Sequence, residues 1–220
     1  QTHALLEGVE RLGGDLNTFS DGFNAADTSD MAARGWTEVV GDFSISLNEL
    51  VSGGGGVTVI RNSNANALAT DTHYAQANID CNGTATINRD GITVRNSQDA
   101  DPNHDYNGVG RVDLGTDEWR IYRVLNQGLA TDLTTGDTPT LTDGVLYKLT
   151  VTADDAFTAA IASVDVVGPV TDATYAGKVN CGFRLRHNLP AIDNAEFADS
   201  AAVDATRRRV GFGGGFGLRR

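Results

Sequence analysis

The sequence predicts an all-β fold, two antiparallel sheets packed face to face as a sandwich. Three observations predict it. Segments between Glu118 and Phe197 carry an apolar residue at every second position. A period of two is the strand signature, because successive side chains leave a pleated backbone on opposite sides. The composition is the second: 26 Gly against 4 Pro in 220 residues, with Thr, Val, Ala, Asn and Asp abundant, which suits many strands joined by tight turns. The third is punctuation by turn pairs: Asn82-Gly83, Asp90-Gly91, Gly136-Asp137 and Asp143-Gly144. One apolar face and one polar face, repeated several times, imply antiparallel sheets packed together.

The elements follow in order. In residues 1–17, Leu5, Val9 and Leu12 are spaced i, i+4, i+7 before Gly13-Gly14, which predicts a short amphipathic helix. A helix of about ten residues is marginal alone in water, so it needs a surface to lie on. Residues 18–200 form the sandwich. Early strands are Trp36 to Val40 and Phe43 to Leu47, around Gly41-Asp42. Gly53 to Gly56 is a flexible break, after which Val57 to Arg61 resumes. His73 to Asp80 is a strand, followed by the Asn82-Gly83 turn, Thr84 to Asn88, and Ile92 to Arg95. Asn82-Gly83-Thr84 is also a formal glycosylation sequon, though a hairpin turn is the better reading.

Residues 96–107 make the longest polar loop, and Gly108 to Leu114 is the next strand. In Glu118 to Leu125, Trp119, Ile121, Arg123 and Leu125 share one face, while Arg120, Tyr122 and Val124 share the other. Val145 to Thr152 and Ala156 to Val164 each read as one strand. In Gly177 to Arg186, Val179, Cys181, Phe183 and Leu185 point one way, and Asn180, Gly182, Arg184 and Arg186 the other. Ala191 to Phe197 closes the series, and Trp36 and Trp119 are assigned to the core. Cys81 and Cys181 fall on apolar parities, so both face inward, either bridged or as small buried hydrophobes.

The net charge is −12, and 23 of the 29 acids are Asp. No acid follows Asp204, whereas Arg207, Arg208, Arg209, Arg219 and Arg220 do, so the body is more acidic than the whole chain. An acidic body excludes nucleic acid and anionic membrane as partners. No apolar run approaches the roughly 18 residues of a membrane-spanning helix, and no charged start with an apolar stretch marks a leader. A chain that starts at Gln1 instead of Met is expected to have been processed or trimmed.

The order Phe19-Ser-Asp-Gly-Phe-Asn-Ala-Ala-Asp27, Gly35-Trp-Thr-Glu-Val39, Phe43-Ser-Ile45 resembles the opening of concanavalin A-like lectin/glucanase modules of the laminin-G-like type. So does the later series Trp119-Arg-Ile-Tyr-Arg-Val124, Thr140-Leu-Thr-Asp-Gly144, Tyr147-Lys-Leu-Thr-Val151, Gly182-Phe-Arg-Leu-Arg186 and Ala191-Ile-Asp-Asn-Ala-Glu-Phe197. The resemblance covers about residues 18–199 and lies in strand order and turn placement. It implies a jelly roll, and it implies relatives that are glycan-binding modules, glycanases or adhesive domains of viral tails and capsids. Where such modules carry a turn such as Asp-Gly in a late hairpin, this chain has Ala159-Ala-Ile-Ala-Ser163, which implies an altered concave face.

Glycanases of this fold need closely spaced carboxylates on one strand, as Glu-x-Asp-x-Glu or something near it. The six Glu (7, 10, 38, 49, 118 and 196) make no such pattern, so the chain is expected not to be an enzyme. Asp21 and Asp193 fall on the stretches where such modules often hold a structural calcium ion. The plainer reading is that Asp21 caps a turn and Asp193 takes a backbone hydrogen bond. The acids Asp99, Asp101 and Asp105 are a second, weaker place for an ion. Sugars stack on exposed aromatics flanked by polar groups. The candidates are Tyr106 with His104 and Asn107, and Tyr122 with Arg120, each of which could equally be an ordinary core aromatic.

The tail Val210-Gly-Phe-Gly-Gly-Gly-Phe-Gly-Leu-Arg-Arg220 is too glycine-dense to hold a shape unaided. With the N-terminal helix it is expected to dock on neighbouring subunits, through Leu5, Val9 and Leu12 at one end and Phe212, Phe216, Leu218, Arg219 and Arg220 at the other. The expectation is a jelly roll with two arms, 1–17 and 201–220. It would serve as a non-catalytic structural or attachment subunit of a viral particle, a capsid decoration or tail component. The alternative is a secreted carbohydrate-binding module.

Overall fold

The computed structural model describes residues 17–24, 26–53, 56–80, 91–113, 118–134, 144–186 and 191–200. The expected N-terminal helix and the C-terminal arm lie outside the described residues, and so do the contacts expected of Leu5, Val9, Leu12, Phe212, Phe216, Leu218, Arg219 and Arg220. Among the described residues fifteen strands follow one another: β1 (Thr18–Asp21), β2 (Trp36–Val40), β3 (Phe43–Ser46), β4 (Glu49–Ser52), β5 (Val57–Asn62), β6 (His73–Asp80), β7 (Gly91–Asn96), β8 (Tyr106–Asp113), β9 (Glu118–Val124), β10 (Thr131–Asp132), β11 (Val145–Val151), β12 (Ala156–Ile161), β13 (Val164–Thr171), β14 (Asn180–Arg186) and β15 (Ala191–Asp199).

They form two antiparallel sheets. One has seven strands in the order β10-β9-β8-β7-β14-β5-β2. The other has eight, β13-β12-β11-β6-β15-β4-β3, with β1 also paired to β15. Sequence neighbours are often not sheet neighbours: β14 inserts between β5 and β7, and β15 between β4 and β6, so the last two strands lock the centre of both sheets. The fold is the all-β two-sheet sandwich expected from the alternation, with the jelly-roll arrangement that the resemblance implies.

The inner faces meet in one continuous core. Trp119, Ile121, Cys181, Phe183 and Leu185 come from the seven-stranded sheet, and Ala75, Ala77, Ile79, Leu149, Val151 and Phe197 from the other. Trp36 is 2% exposed and Trp119 is 1% exposed, as expected of core residues. Rings of Phe19, Phe23, Phe183 and Phe197 surround Trp36 at centroid distances of 4.9 to 5.8 Å. Burying each such side chain contributes roughly 1.5–3 kcal/mol. The indole N–H of Trp36 donates to Asp21 Oδ2 at 2.9 Å, so the one polar atom of that ring is satisfied. Trp119 stacks on Tyr147 with centroids 4.8 Å apart.

Cys181 is a free thiol, 0% exposed, and burial pushes its pKa up. Cys81 lies outside the described residues.

One expected strand is really a hairpin. The stretch Ala156 to Val164 contains a turn at Ala162-Ser163, between β12 and β13, with φ of 50° and 68°. Two consecutive positive φ values make the tight turn whose twist matches paired strands. Glycine or asparagine normally supplies that geometry; alanine and serine conceal it from a sequence reading. The late hairpin is therefore present, with substituted turn residues. The hairpin between β3 and β4 does the same with Leu47 (φ 54°) and Asn48 (φ 66°).

Candidate functional site

Alternation turns half of each strand away from the core. On the seven-stranded sheet the outward residues include Val59, Tyr106, Tyr122 and Val124, which form a second, smaller apolar cluster with Val39, Val40, Val57 and Ala130 at its edge. Gly108 pairs with Tyr122 across β8 and β9, and a Cβ at Gly108 would meet the Tyr122 ring at 2.7 Å. Glycine there lets the ring lie flat against the sheet.

Beside this cluster is a pocket of about 170 Å³ lined by Val40, Val57, Asp101, Tyr106, Gln127, Gly128 and Arg184. Val40 and Val57 come from adjacent strands β2 and β5, and Arg184 projects outward from β14, its neighbours Phe183 and Leu185 being in the core. Asp101 and Tyr106 come from the loop after β7 and the start of β8, and Gln127 and Gly128 from the loop after β9.

The two loops are tied together. The Gln127 N–H donates to the His104 carbonyl at 3.0 Å, and the Asn126 N–H to Asp105 Oδ1 at 2.8 Å. Lys178 Nζ donates to the other Asp105 oxygen at 2.7 Å. His104 is buried beneath: its Nδ1 lies 3.0 Å from the Asp99 carbonyl and its Nε2 3.0 Å from Asn96 Oδ1. Burial holds its pKa down to about 4, with Arg61 and Lys178 adding to the effect. The imidazole is therefore neutral at pH 7, and it braces the loops.

The residues expected to bind sugar are distributed as follows. Tyr106 lines the pocket but is 1% exposed, and Tyr122 is 0% exposed, so neither is an open stacking platform. Their rings pack against each other, centroids 6.3 Å apart, because they sit on adjacent strands of the outer face. Asn107 has the opposite parity from Tyr106; it is buried and donates to Asp172 Oδ2 at 3.3 Å. His104 supports the pocket without lining it. Arg120 is held between Glu118 and Asp132, the latter at 2.7 Å, and does not line the pocket. Sequence reasoning missed Val40, Val57, Gln127, Gly128 and Arg184. Only Arg184, outward next to Gly182 on a strand of clear alternation, carried a usable signal.

The residues of the candidate calcium site, Asp21 and Asp193, do not fit an ion. Asp21 Oδ1 accepts from the Phe23 N–H at 2.8 Å and from Arg34, and Oδ2 accepts from Arg34 Nε at 3.1 Å and from Trp36. Burial opposes the charge, but Arg34 and these donors hold the Asp21 pKa below the usual carboxylate value. A divalent cation there would face a guanidinium. Asp193 accepts from the Asn194 N–H at 2.7 Å. These are the turn cap and the backbone hydrogen bond of the plainer reading. Among the described residues no group of three His, Cys, Asp or Glu is arranged to hold a metal. Asp105 is committed to Lys178 and Asn126.

A second hollow, of about 210 Å³, lies on the eight-stranded sheet and is lined by Glu49, Asn78, Asp80, Gly144, Ala191 and Asp193. Burial raises the Glu49 pKa, and the charges of Asp80 and Asp193 raise it further. Among the described residues no helix is long and apolar enough to cross a membrane.

No protein-family model matches the chain, and no curated protein matches it in sequence. Solved structures match it in shape. The carbohydrate binding module CBM66 from Bacillus subtilis superposes with a TM-score of 0.55 at 15% identity, over 74% of this chain and 94% of that one. The β-agarase B from Zobellia galactanivorans gives 0.53 at 8% identity, over 85% and 95%. The carbohydrate recognition domain of Emp47p gives 0.51 at 11% identity, over 85% and 99%. The chain therefore shares a two-sheet jelly-roll fold with these structures, the fold that the sequence resemblance implies. At these identities the likeness is one of fold.

Proposed function

We propose that this protein is a non-catalytic carbohydrate binder that takes sugar in the pocket of Asp101, Tyr106, Gln127 and Arg184. The observation that carries the reading is the mixture in one hollow: apolar surface from Val40 and Val57 beside an acid, an amide and a guanidinium. A sugar ring has apolar C–H faces and a rim of hydroxyls that both donate and accept, so it needs that mixture. The fold adds support, since solved proteins of this shape include a carbohydrate binding module and a carbohydrate recognition domain. Binding of the full chain to a glycan array, lost in Arg184→Ala with an unchanged melting temperature, is the expected result. An array with no signal sinks the reading.

None of the six Glu lies in a Glu-x-Asp-x-Glu pattern, which supports a role without catalysis. The observation on the other side is Glu49, whose raised pKa beside Asp80 and Asp193 is what a general acid needs. Release of reducing ends from any bound polysaccharide, abolished by Glu49→Gln, would make the protein an enzyme.

The setting we propose is an attachment or structural subunit of a viral particle, with the alternative of a secreted module. Its support is the composition of residues 1–17 and 201–220, an amphipathic stretch and a Gly/Phe/Arg segment that need neighbours to hold a shape. The full chain should then sediment as an oligomer, and removal of 201–220 should leave a monomer. A monomeric full chain favours the secreted module.

A further inference from the structure

We infer that the pocket takes a single, uncharged, terminal sugar ring, and that Gln127 determines which ring. This rests on the carbohydrate-binding reading and narrows it.

The pocket of about 170 Å³ falls below the roughly 300–1,000 Å³ typical of small-molecule sites. One ring fits, and the rest of a chain must lie outside. An orphaned donor also lines the pocket. Gln127 Nε2 is buried and has no hydrogen-bond partner among the described residues. A buried donor left without an acceptor is unfavourable, and a ligand hydroxyl oxygen would relieve it. A site built to hydrogen-bond one hydroxyl rejects analogues that lack it far better than an apolar pocket rejects a missing methylene.

The backbone that carries this donor is also held in place. Asn126 and Gln127 have φ of 49° and 52°, in the left-handed region that non-glycine residues seldom occupy. Strain of this kind persists only where the surroundings fix it. Here they do: besides the ties to His104 and Asp105, the Gly128 N–H donates to the Leu125 carbonyl at 2.8 Å. A loop fixed before the ligand arrives loses little freedom on binding.

Asp101 and Arg184 are the ionised groups of the lining, and they are of opposite sign. The chain around them carries a net −12, which repels acidic sugars. A neutral ring meets no such barrier: Asp101 accepts from its hydroxyls, Arg184 and Gln127 donate to them, and Val40 and Val57 cover a C–H face.

Calorimetry on the full chain, with the array's best oligosaccharide and its terminal monosaccharide, tests this. The monosaccharide should bind within about fivefold of the oligosaccharide, and affinity should change less than twofold between 50 mM and 500 mM salt, both consequences of a one-ring neutral ligand. Gln127→Ala should weaken binding about tenfold or more, the usual effect of losing one buried hydrogen bond. Gln127→Glu should do the same and Gln127→Asn less, with no loss of melting temperature in the Ala and Asn variants. Binding that requires two or more linked rings, requires an acidic sugar, or survives Gln127→Ala overturns this inference and leaves the broader reading intact. No binding to any glycan overturns both.

Discussion

Arg95 and Arg184 stand on adjacent strands of one sheet in different surroundings. Arg95 is 1% exposed and its guanidinium is fully engaged. Its Nη2 donates to Asp155 Oδ1 at 2.6 Å, with Asp71 Oδ2 at 3.5 Å; its Nε donates to the Asp71 carbonyl at 3.3 Å and its Nη1 to the Asp172 carbonyl at 3.4 Å. The plane lies over Phe157, 5.4 Å from the ring centroid. Three loops, around residues 71, 155 and 172, are fastened to one side chain. Arg184 instead borders a hollow, across from an acid and an amide. Both sites are polar, and the difference is whether the protein itself fills the space between the groups. A closed cluster holds loops together; an open one has room for a ligand.

A buried histidine stands at each site, His73 beside Arg95 and His104 beneath the loops of the pocket, and acid should test both. The Arg95 N–H donates to His73 Nε2 at 3.4 Å, and burial, with Arg95 nearby, holds the His73 pKa down to about 4, like that of His104. In the unfolded chain both protonate near the ordinary value of about 6.5. Between those two values the unfolded chain binds more protons, so stability falls as pH drops from 6.5 towards 4 and this contribution flattens below. The loss should be on the order of several kcal/mol for the pair. Melting temperature against pH measures it, with NMR titration of the two imidazoles; midpoints near 6.5 in the folded protein would remove the effect.

The closed cluster alone should respond to Arg95→Met. The change removes the cation shared by Asp71 and Asp155, whose side chains are 32% and 26% exposed. Because those acids keep some contact with water, the loss should sit at the low end for a broken buried pair, about 3 kcal/mol. In a chain of this size that lowers the melting temperature by about 6–12 °C. Arg184→Ala, by contrast, should leave it within about 2 °C, because Arg184 is only half-buried at the edge of a hollow and its loss opens no gap in the core. Equal losses in the two variants would erase the distinction drawn between the sites.

The same contrast separates what was legible in the sequence from what was not. Trp119 and Ile121, or Cys181, Phe183 and Leu185, announce an inner face because every second residue meets the same environment. The outer face obeys no such rule. Tyr122 and Val124 fall on the parity that alternation assigns to solvent, yet they are buried under a local cluster. The pocket draws on five separate stretches, β2, β5, the loops after β7 and β9, and β14, and no spacing in the chain records their meeting. Tyr106 was identifiable as an aromatic in a polar loop. Gln127 was not, because a glutamine in a loop is ordinary until its amide is seen to be buried.

The turn at Ala162-Ser163 was hidden for another reason. Its backbone geometry suits Asn-Gly, but its residues do not advertise it. Replacing both, as Ala162→Asn with Ser163→Gly, should raise stability by about 1 kcal/mol, since a non-glycine residue in the left-handed region is strained by about 1–2 kcal/mol. Chemical denaturation measures it, and a loss would mean that the turn geometry differs from that described. The gain should leave carbohydrate binding untouched, because neither residue lines the pocket.

The smallest expected effect concerns calcium, and it too depends on whether a polar site is closed. At the junction of β1 and β15, Asp21 pairs in register with Ala195, two residues from Asp193. Arg34 occupies the place an ion would need, within a cluster that Trp36 and the Phe23 N–H complete. A site already neutralised from within gains nothing from a divalent cation. Adding calcium, or stripping it with a chelator, should move the melting temperature by less than about 1 °C. Arg34→Ala opens the same site by removing its cation. Asp21 is 8% exposed, so that variant should be destabilised, by about 1–3 kcal/mol for a buried acceptor left short of its donor. If calcium then restores stability to Arg34→Ala and not to the native chain, the arginine is standing where the ion would be; if calcium stabilises the native chain, the site is open after all.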